Sequence, residues 1–209
     1  MVAIGIGVLV LALLGAWGLF IWNVKTVERP EYQRVEADGA IELRDYPPLI
    51  VAEVDTRGDR QQSVRRGFGP LAGYIFARSR AGERVAMTAP VTQTPREQIA
   101  MTAPVTQTAR EDGRWTVRFI MPAAYTLESL PEPADGVRLE RLPARRAAAI
   151  RFAGWATDAR VAAQEAELRT WIERRGLRPV GPPTYAYYDD PWMPGPLRRN
   201  EVLLDVSPE

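Results

Sequence analysis

The chain has 209 residues, 46% of them hydrophobic, with 27 Lys and Arg against 26 Asp and Glu, so a net charge of +1 supplies no global field for nucleic acid or an acidic partner. It contains no cysteine and no histidine. That excludes disulfides, thiolate nucleophiles, iron–sulfur and zinc-thiolate sites, imidazole metal ligands and any Ser-His-Asp triad, so neither a metal site nor a catalytic constellation is expected.

Residues 2–22, VAIGIGVLVLALLGAWGLFIW, form an uncharged run of 21 residues. At about 1.5 Å per residue a helix of that length spans a hydrocarbon core of about 30 Å, and Trp17 and Trp22 suit an interfacial belt. Residues 1–24 therefore read as a single transmembrane anchor and 25–30 as a linker. A cleaved signal peptide would need a basic leader and a small-residue cleavage site, and the sequence offers neither. Lys25, Arg29 and Arg34 follow the run and nothing basic precedes it, which favours a cytoplasmic body; an external body on a short anchor is the alternative.

From residue 31 the pattern changes to short alternating strands. YQRVE and AIELRDY, joined at Asp38-Gly39, predict a hairpin, and LIVAEVDT at 49–56 predicts a further strand. Val64, Phe68, Leu71 and Ile75 then fall at i, i+4, i+7 and i+11, one stripe of a helix. Gly67, Gly69, Pro70 and Gly73 argue for a kink or a late start within it.

The string AMTAPVTQT follows twice, at 86–94 and 100–108. Alternation places Val85, Met87, Ala89 and Val91 on one face of the first copy, and Ile99, Met101, Ala103 and Val105 on one face of the second. The polar linker between the copies predicts a hairpin of two like strands, with Met87 and Met101 directed to one side, toward core or ligand. Neither copy contains a strong base or nucleophile.

RWTVRFIMP reads as a strand, YTLESLPEPADG as a connecting loop, and VRLERLP with RAAAIRFAGWA as a pair of strands. ARVAAQEAELRTWIERR predicts a helix capped by Thr157 or Asp158 and stopped at Gly176, with Val161, Leu168 and Ile172 on one face and an i,i+4 pair of Glu165 with Arg169. A strand, a proline-rich loop and a last strand complete the chain. Set 97 residues apart, Val64 lies over Val161, Leu71 over Leu168 and Ile75 over Ile172, although Phe68 lies over Glu165. Strand–helix–strands written twice predicts a pseudo-symmetric α+β domain.

Five stretches, IELRDYPP (41–48), FGPLAGYIFARSRAGERVAMTAPV (68–91), FIMPAAYTLESLPEP (119–133), AAIRFAGWA (148–156) and YYDDPWMPGPLRRNEV (187–202), together resemble the SOUL/haem-binding-protein family over residues 31–206. The resemblance implies a pseudo-twofold curved antiparallel sheet or distorted barrel with two main helices, here preceded by the single N-terminal transmembrane helix. It also implies binding of haem or another porphyrin in a groove beside the first helix.

Carried onto this chain, the resemblance offers Val64, Phe68, Leu71 and Ile75 to the macrocycle, Arg65, Arg66 or Arg78 to its propionates, and Met87 and Met101 to macrocycle or core. The chain departs from a histidine-ligated iron. An axial bond would have to come from Met87, Met101, Met121, Met193 or a tyrosine, and binding without protein ligation is the expected form. Expected partners are thus haem or another porphyrin and, through residues 2–22, the lipid bilayer, without nucleic acid. Two alternatives stand beside this reading. One is a small-molecule sensor or hydrolase of the gyrase-inhibitor-like fold, with Glu42, Glu53, Asp189 or Glu201 as its carboxylate. The other is a protein-interaction module using a sheet edge or the DDPWMPGP loop.

Overall fold

The computed structural model describes residues 27–76, 98–133, 136–189 and 192–208. The N-terminal apolar run, Arg78, Met87 and the first AMTAPVTQT copy lie outside the described residues. Among the described residues, no helix is long and apolar enough to cross a membrane.

Among the described residues, turn chemistry and alternation produce nine strands: β1 (Gln33–Asp38), β2 (Ile41–Tyr46), β3 (Leu49–Thr56), β4 (Val105–Ala109), β5 (Trp115–Ile120), β6 (Arg138–Leu142), β7 (Arg145–Ala153), β8 (Leu177–Tyr187) and β9 (Arg199–Pro208). Two helices, α1 (Arg60–Ile75) and α2 (Asp158–Arg174), separate β3 from β4 and β7 from β8. All strands join one antiparallel sheet in the order β1-β2-β7-β9-β8-β4-β5-β3-β6. With β1 set aside the order is palindromic about the β8–β4 seam, where Val105–Thr108 pair with Thr184–Tyr187. Each half thus contributes a strand, a helix and a hairpin, in agreement with the 97-residue correspondence. The barrel alternative is corrected: no ladder joins β1 to β6, so the sheet is open.

Each helix covers its own half. Leu71, Tyr74 and Ile75 of α1 pack on Val117, Phe119 and Ala52, while Val161, Leu168, Trp171 and Ile172 of α2 pack on Ile150, Val202 and Leu204. On α2, Thr157 caps the helix through Arg160 N–H and Gly176 follows the C-cap in a left-handed conformation, as the sequence predicts. On α1, Asp59 is the cap, accepting from Gln62 N–H at 2.8 Å, and the helix runs through its glycines from Arg60.

Gly67 is a packing requirement. A β-carbon there would stand 2.6 Å from the Val117 β-carbon, so the missing side chain sets how closely α1 approaches β5. Helix propensity alone would make Gly67→Ala stabilising by about 1 kcal/mol. The contact reverses the sign: the substitution is expected to destabilise the fold by about 1–3 kcal/mol, with recovery in a Gly67→Ala/Val117→Ala double variant. Urea denaturation of the single and double variants checks this, and a more stable single variant refutes it.

The expected hairpin between the two copies involves residues outside the described ones; of the second copy, the pairing of β4 is described. Both edges of β4 are already occupied, by β5 and β8. Among the described residues, 100–104 make an isolated bridge, Thr102 to Glu28, and the predicted single face is broken, with Ile99 buried and Met101 exposed. Nor do β6 and β7 pair with each other; they bond to β3 and β2 in opposite halves. The first turn is also shifted by one residue: Asp38 pairs with Ile41, leaving Gly39-Ala40 as the turn.

Candidate ligand-binding cleft

The N-terminus of α1 and the segment leading into α2 face each other across the seam. Arg60, the first residue of α1, is buried and spans the gap. Its Nε donates to Asp158 Oδ1 at 2.9 Å, and its Nη groups donate to the Ala156 carbonyl and the Tyr187 hydroxyl. The Tyr187 hydroxyl also accepts from Gln107 Nε2 at 2.7 Å. Burial raises the pKa of this phenol, outweighing the opposing charge of Arg60, so it stays protonated with its own O–H free to act as a donor.

Above this strut opens a cleft of about 720 Å³, within the range of small-molecule sites. Val64, Phe68, Val105 and the Trp155 ring provide apolar surface. Phe68 packs edge-on to Phe119, with centroids 5.3 Å apart. Arg65, Arg198 and Arg199 add positive charge, and Asp189 and Asn200 complete the polar lining. The Arg198 guanidinium lies 3.9 Å from the Trp155 ring centroid, while its Nε donates to the Met193 carbonyl at 2.7 Å. The short 3₁₀ turn Gly195–Leu197 backs Trp155 so closely that a β-carbon on Gly195 would lie 2.6 Å from the indole nitrogen. Arginines together with two helix N-termini make the cleft favourable to anionic groups.

Of the residues expected at the ligand, Val64, Arg65 and Phe68 line the cleft. Leu71 and Ile75 do not: both are fully buried beneath α1. Arg66 points elsewhere, donating to the Arg57 carbonyl at 2.7 Å. Met101 is exposed and away from the cleft lining. Sequence reasoning missed Arg60, Trp155, Tyr187 and the Arg198–Asn200 segment. Helical periodicity is blind to loop and strand-end residues; the signal available was the position of Trp155 in GWA, of Arg198–Asn200 in PLRRN and of Tyr187 at the head of the last stretch that carries the family resemblance, whereas Arg60 lies outside those stretches.

The carboxylates considered for hydrolysis are mostly held in ion pairs. Glu42 bonds Arg44 at 2.7 Å, Glu53 bonds Arg118 and Arg138 at 2.8 Å each, and Glu201 bonds Arg44 at 2.8 Å and Arg199 at 2.7 Å. Burial by itself would raise the Glu201 carboxyl; hydrogen bonds and charge from Arg44, with Arg199 and Tyr188, outweigh it and hold the group below the usual range. Asp189 alone faces the cleft, and it accepts from the Arg199 backbone N–H. Among the described residues, no group of three or more acidic side chains could hold a metal ion.

An open antiparallel sheet of two like halves, with an apolar, arginine-bearing cleft at their seam, defines an α+β domain. The SOUL heme-binding protein family model matches residues 27–205, and the chain belongs to that family. No curated protein matches the chain in sequence. Among solved structures, it is similar to the C-terminal domain of EcmrR, with a TM-score of 0.59 and 14% identity over 85% of this chain and 99% of that one. It is also similar to a hydrolase from Listeria innocua, with a TM-score of 0.54 and 18% identity over 83% and 94% of the two chains. Likeness at such identity speaks for the fold alone.

Proposed function

We propose that the protein is a membrane-anchored haem- or tetrapyrrole-binding protein whose ligand occupies the seam cleft. The observation that carries this reading is the cleft's composition: flat apolar surface from Phe68, Val105 and Trp155, with Arg65 and Arg198 beside it. A planar macrocycle with two carboxylates matches that arrangement, its face against the aromatic rings and its propionates on guanidinium groups. Family membership supports tetrapyrrole binding in general, and the uncharged run at 2–22 supports the anchor.

With no histidine in the chain, iron is held without imidazole, and burial and propionate pairing supply the affinity. The protein then accepts metal-free protoporphyrin about as well as hemin. Titration of the full chain in detergent, following the Soret band for hemin and fluorescence for protoporphyrin, is expected to give saturable binding of both with similar affinity. A six-coordinate low-spin iron spectrum, or strong preference for the iron form, would refute the unligated mode; absence of saturable binding to either refutes the function.

A further inference from the structure

Several exposed apolar side chains gather at the end of the sheet where β4 begins and β8 ends. Trp192 is 84% exposed, Trp155 58% and Leu197 57%, and Met101 stands four residues before β4. They come from three separate segments, so one local sequence accident does not explain them. An exposed apolar rim of this kind marks an interaction surface.

The same end receives the chain from the N-terminal side. The Glu28 carbonyl accepts Ala103 N–H at 2.9 Å, and the Glu28 carboxylate accepts Ala123 N–H at 2.8 Å. The Arg29 guanidinium lies 5.7 Å from the Tyr188 ring centroid, and that ring also carries Arg199 at 4.2 Å. Arg199 adjoins Arg198, which stacks on Trp155. Contacts therefore run without a break from residue 29 to the rim. Only residues 23–26 separate Val27 from the apolar run ending at Trp22, and five extended steps reach about 17 Å.

We infer that this rim rests on the lipid bilayer, with Trp155, Trp192 and Leu197 at headgroup depth, so that the cleft beside Trp155 exchanges its ligand with the membrane interface. The inference rests on the anchor reading of residues 2–22. Trp is favoured at that depth, and Arg198 over Trp155 pairs an apolar body with a cation suited to lipid phosphate. An apolar tetrapyrrole partitions into the same layer, which places ligand and cleft together.

Because the chain has no cysteine, Leu197→Cys gives a single site for a nitroxide label on the full-length protein. In vesicles of phosphatidylcholine and phosphatidylglycerol the label is expected to collide more with lipid-dissolved oxygen than with a water-soluble nickel chelate. A label at Val180→Cys, an exposed position toward the opposite end of β8, is expected to do the reverse. In a Trp17→Phe/Trp22→Phe chain, brominated acyl chains should quench Trp155 and Trp192 emission and spare buried Trp171, and also Trp115, which lies at the end of β5 away from the rim. Carbonate extraction reads the anchor separately. Protein that stays with the vesicles while residue 197 remains chelate-accessible and Trp192 unquenched overturns the lipid-facing rim alone. Release by carbonate overturns the anchor and the rim with it. A residue-197 label shielded from both reagents in a cross-linkable dimer assigns the rim to a second copy and overturns lipid contact.

Discussion

Glu201→Gln is expected to lower the stability of the fold by about 3 kcal/mol, the lower end of the usual cost of breaking a buried ion pair, because Glu42 still pairs with Arg44. Arg44 and Glu201 are each 1% exposed and stand on neighbouring parts of the sheet face opposite the helices. Arg44 donates to both Glu201 oxygens, at 2.8 and 3.1 Å, and to the Tyr46 hydroxyl, while Glu201 also accepts from Tyr188 at 2.7 Å. Removing the carboxylate charge leaves the buried Arg44 guanidinium with the partly exposed Glu42, at 2.7 Å, as its remaining carboxylate, and with little water to turn to. Asp45 and Arg146 are bonded just as closely, at 2.7 Å, but at the surface, so Asp45→Asn should cost only about 0–1 kcal/mol.

The pH dependence follows with a definite sign. The folded Glu201 carboxyl lies below its ordinary value of 4.5. Its contribution is therefore complete above that value and is lost as pH falls through the lower, folded one. Stability measured by chemical denaturation against pH should decline on the acid side in the parent and decline less steeply in Glu201→Gln. Equal costs for Glu201→Gln and Asp45→Asn would sink the argument. An Arg44→Met/Glu201→Leu double variant should regain most of the loss, because an apolar pair carries no desolvation cost.

Much of the fold was legible because its signals are local. The α2 cap at Thr157, the Gly176 stop and the Leu168–Ile172 face lie within single turns of helix. The Leu71 and Leu168 correspondence exposed the two halves before any contact was known. Other features depend on what packs from elsewhere. Gly67 reads as a helix breaker until Val117 is seen against it, and Pro179, Pro182 and Pro183 argue against a strand that β8 nonetheless forms by shifting register between Val180 and Thr184. The second AMTAPVTQT copy makes a related point: alternation shows that a strand is possible, whereas the partners of β4 are set by β5 and β8. At the cleft, the helix stripe includes Val64 and Phe68, which line it, yet it could not separate them from Leu71 and Ile75, which face down into the core. Trp155 and Arg198 meet only through the tertiary fold, so no spacing announces them.

The cleft assignment separates two contributions that a porphyrin makes, and one pair of ligands resolves them. Arg65→Ala with Arg198→Ala removes the guanidinium groups proposed for the propionates. At a solvent-open mouth each pairing is worth about 0.5–1 kcal/mol, so the double variant should weaken hemin binding by roughly five- to thirty-fold. Haem dimethyl ester, whose carboxylates are masked, should bind the parent and this variant alike. Phe68→Ala removes apolar surface instead and is expected to weaken both ligands by about 1–2 kcal/mol, five- to thirty-fold. Phe68 is partly exposed and outside the buried core, so this loss is separable from unfolding, unlike that of Leu71→Ala, which opens a core cavity at about 2–5 kcal/mol. Added salt should weaken hemin binding by the parent and have less effect on the arginine-free variant, since screening acts on the charge pairing. An arginine variant that weakens hemin and its ester equally would refute propionate pairing, and an unaltered affinity in Phe68→Ala would move the macrocycle out of the seam cleft.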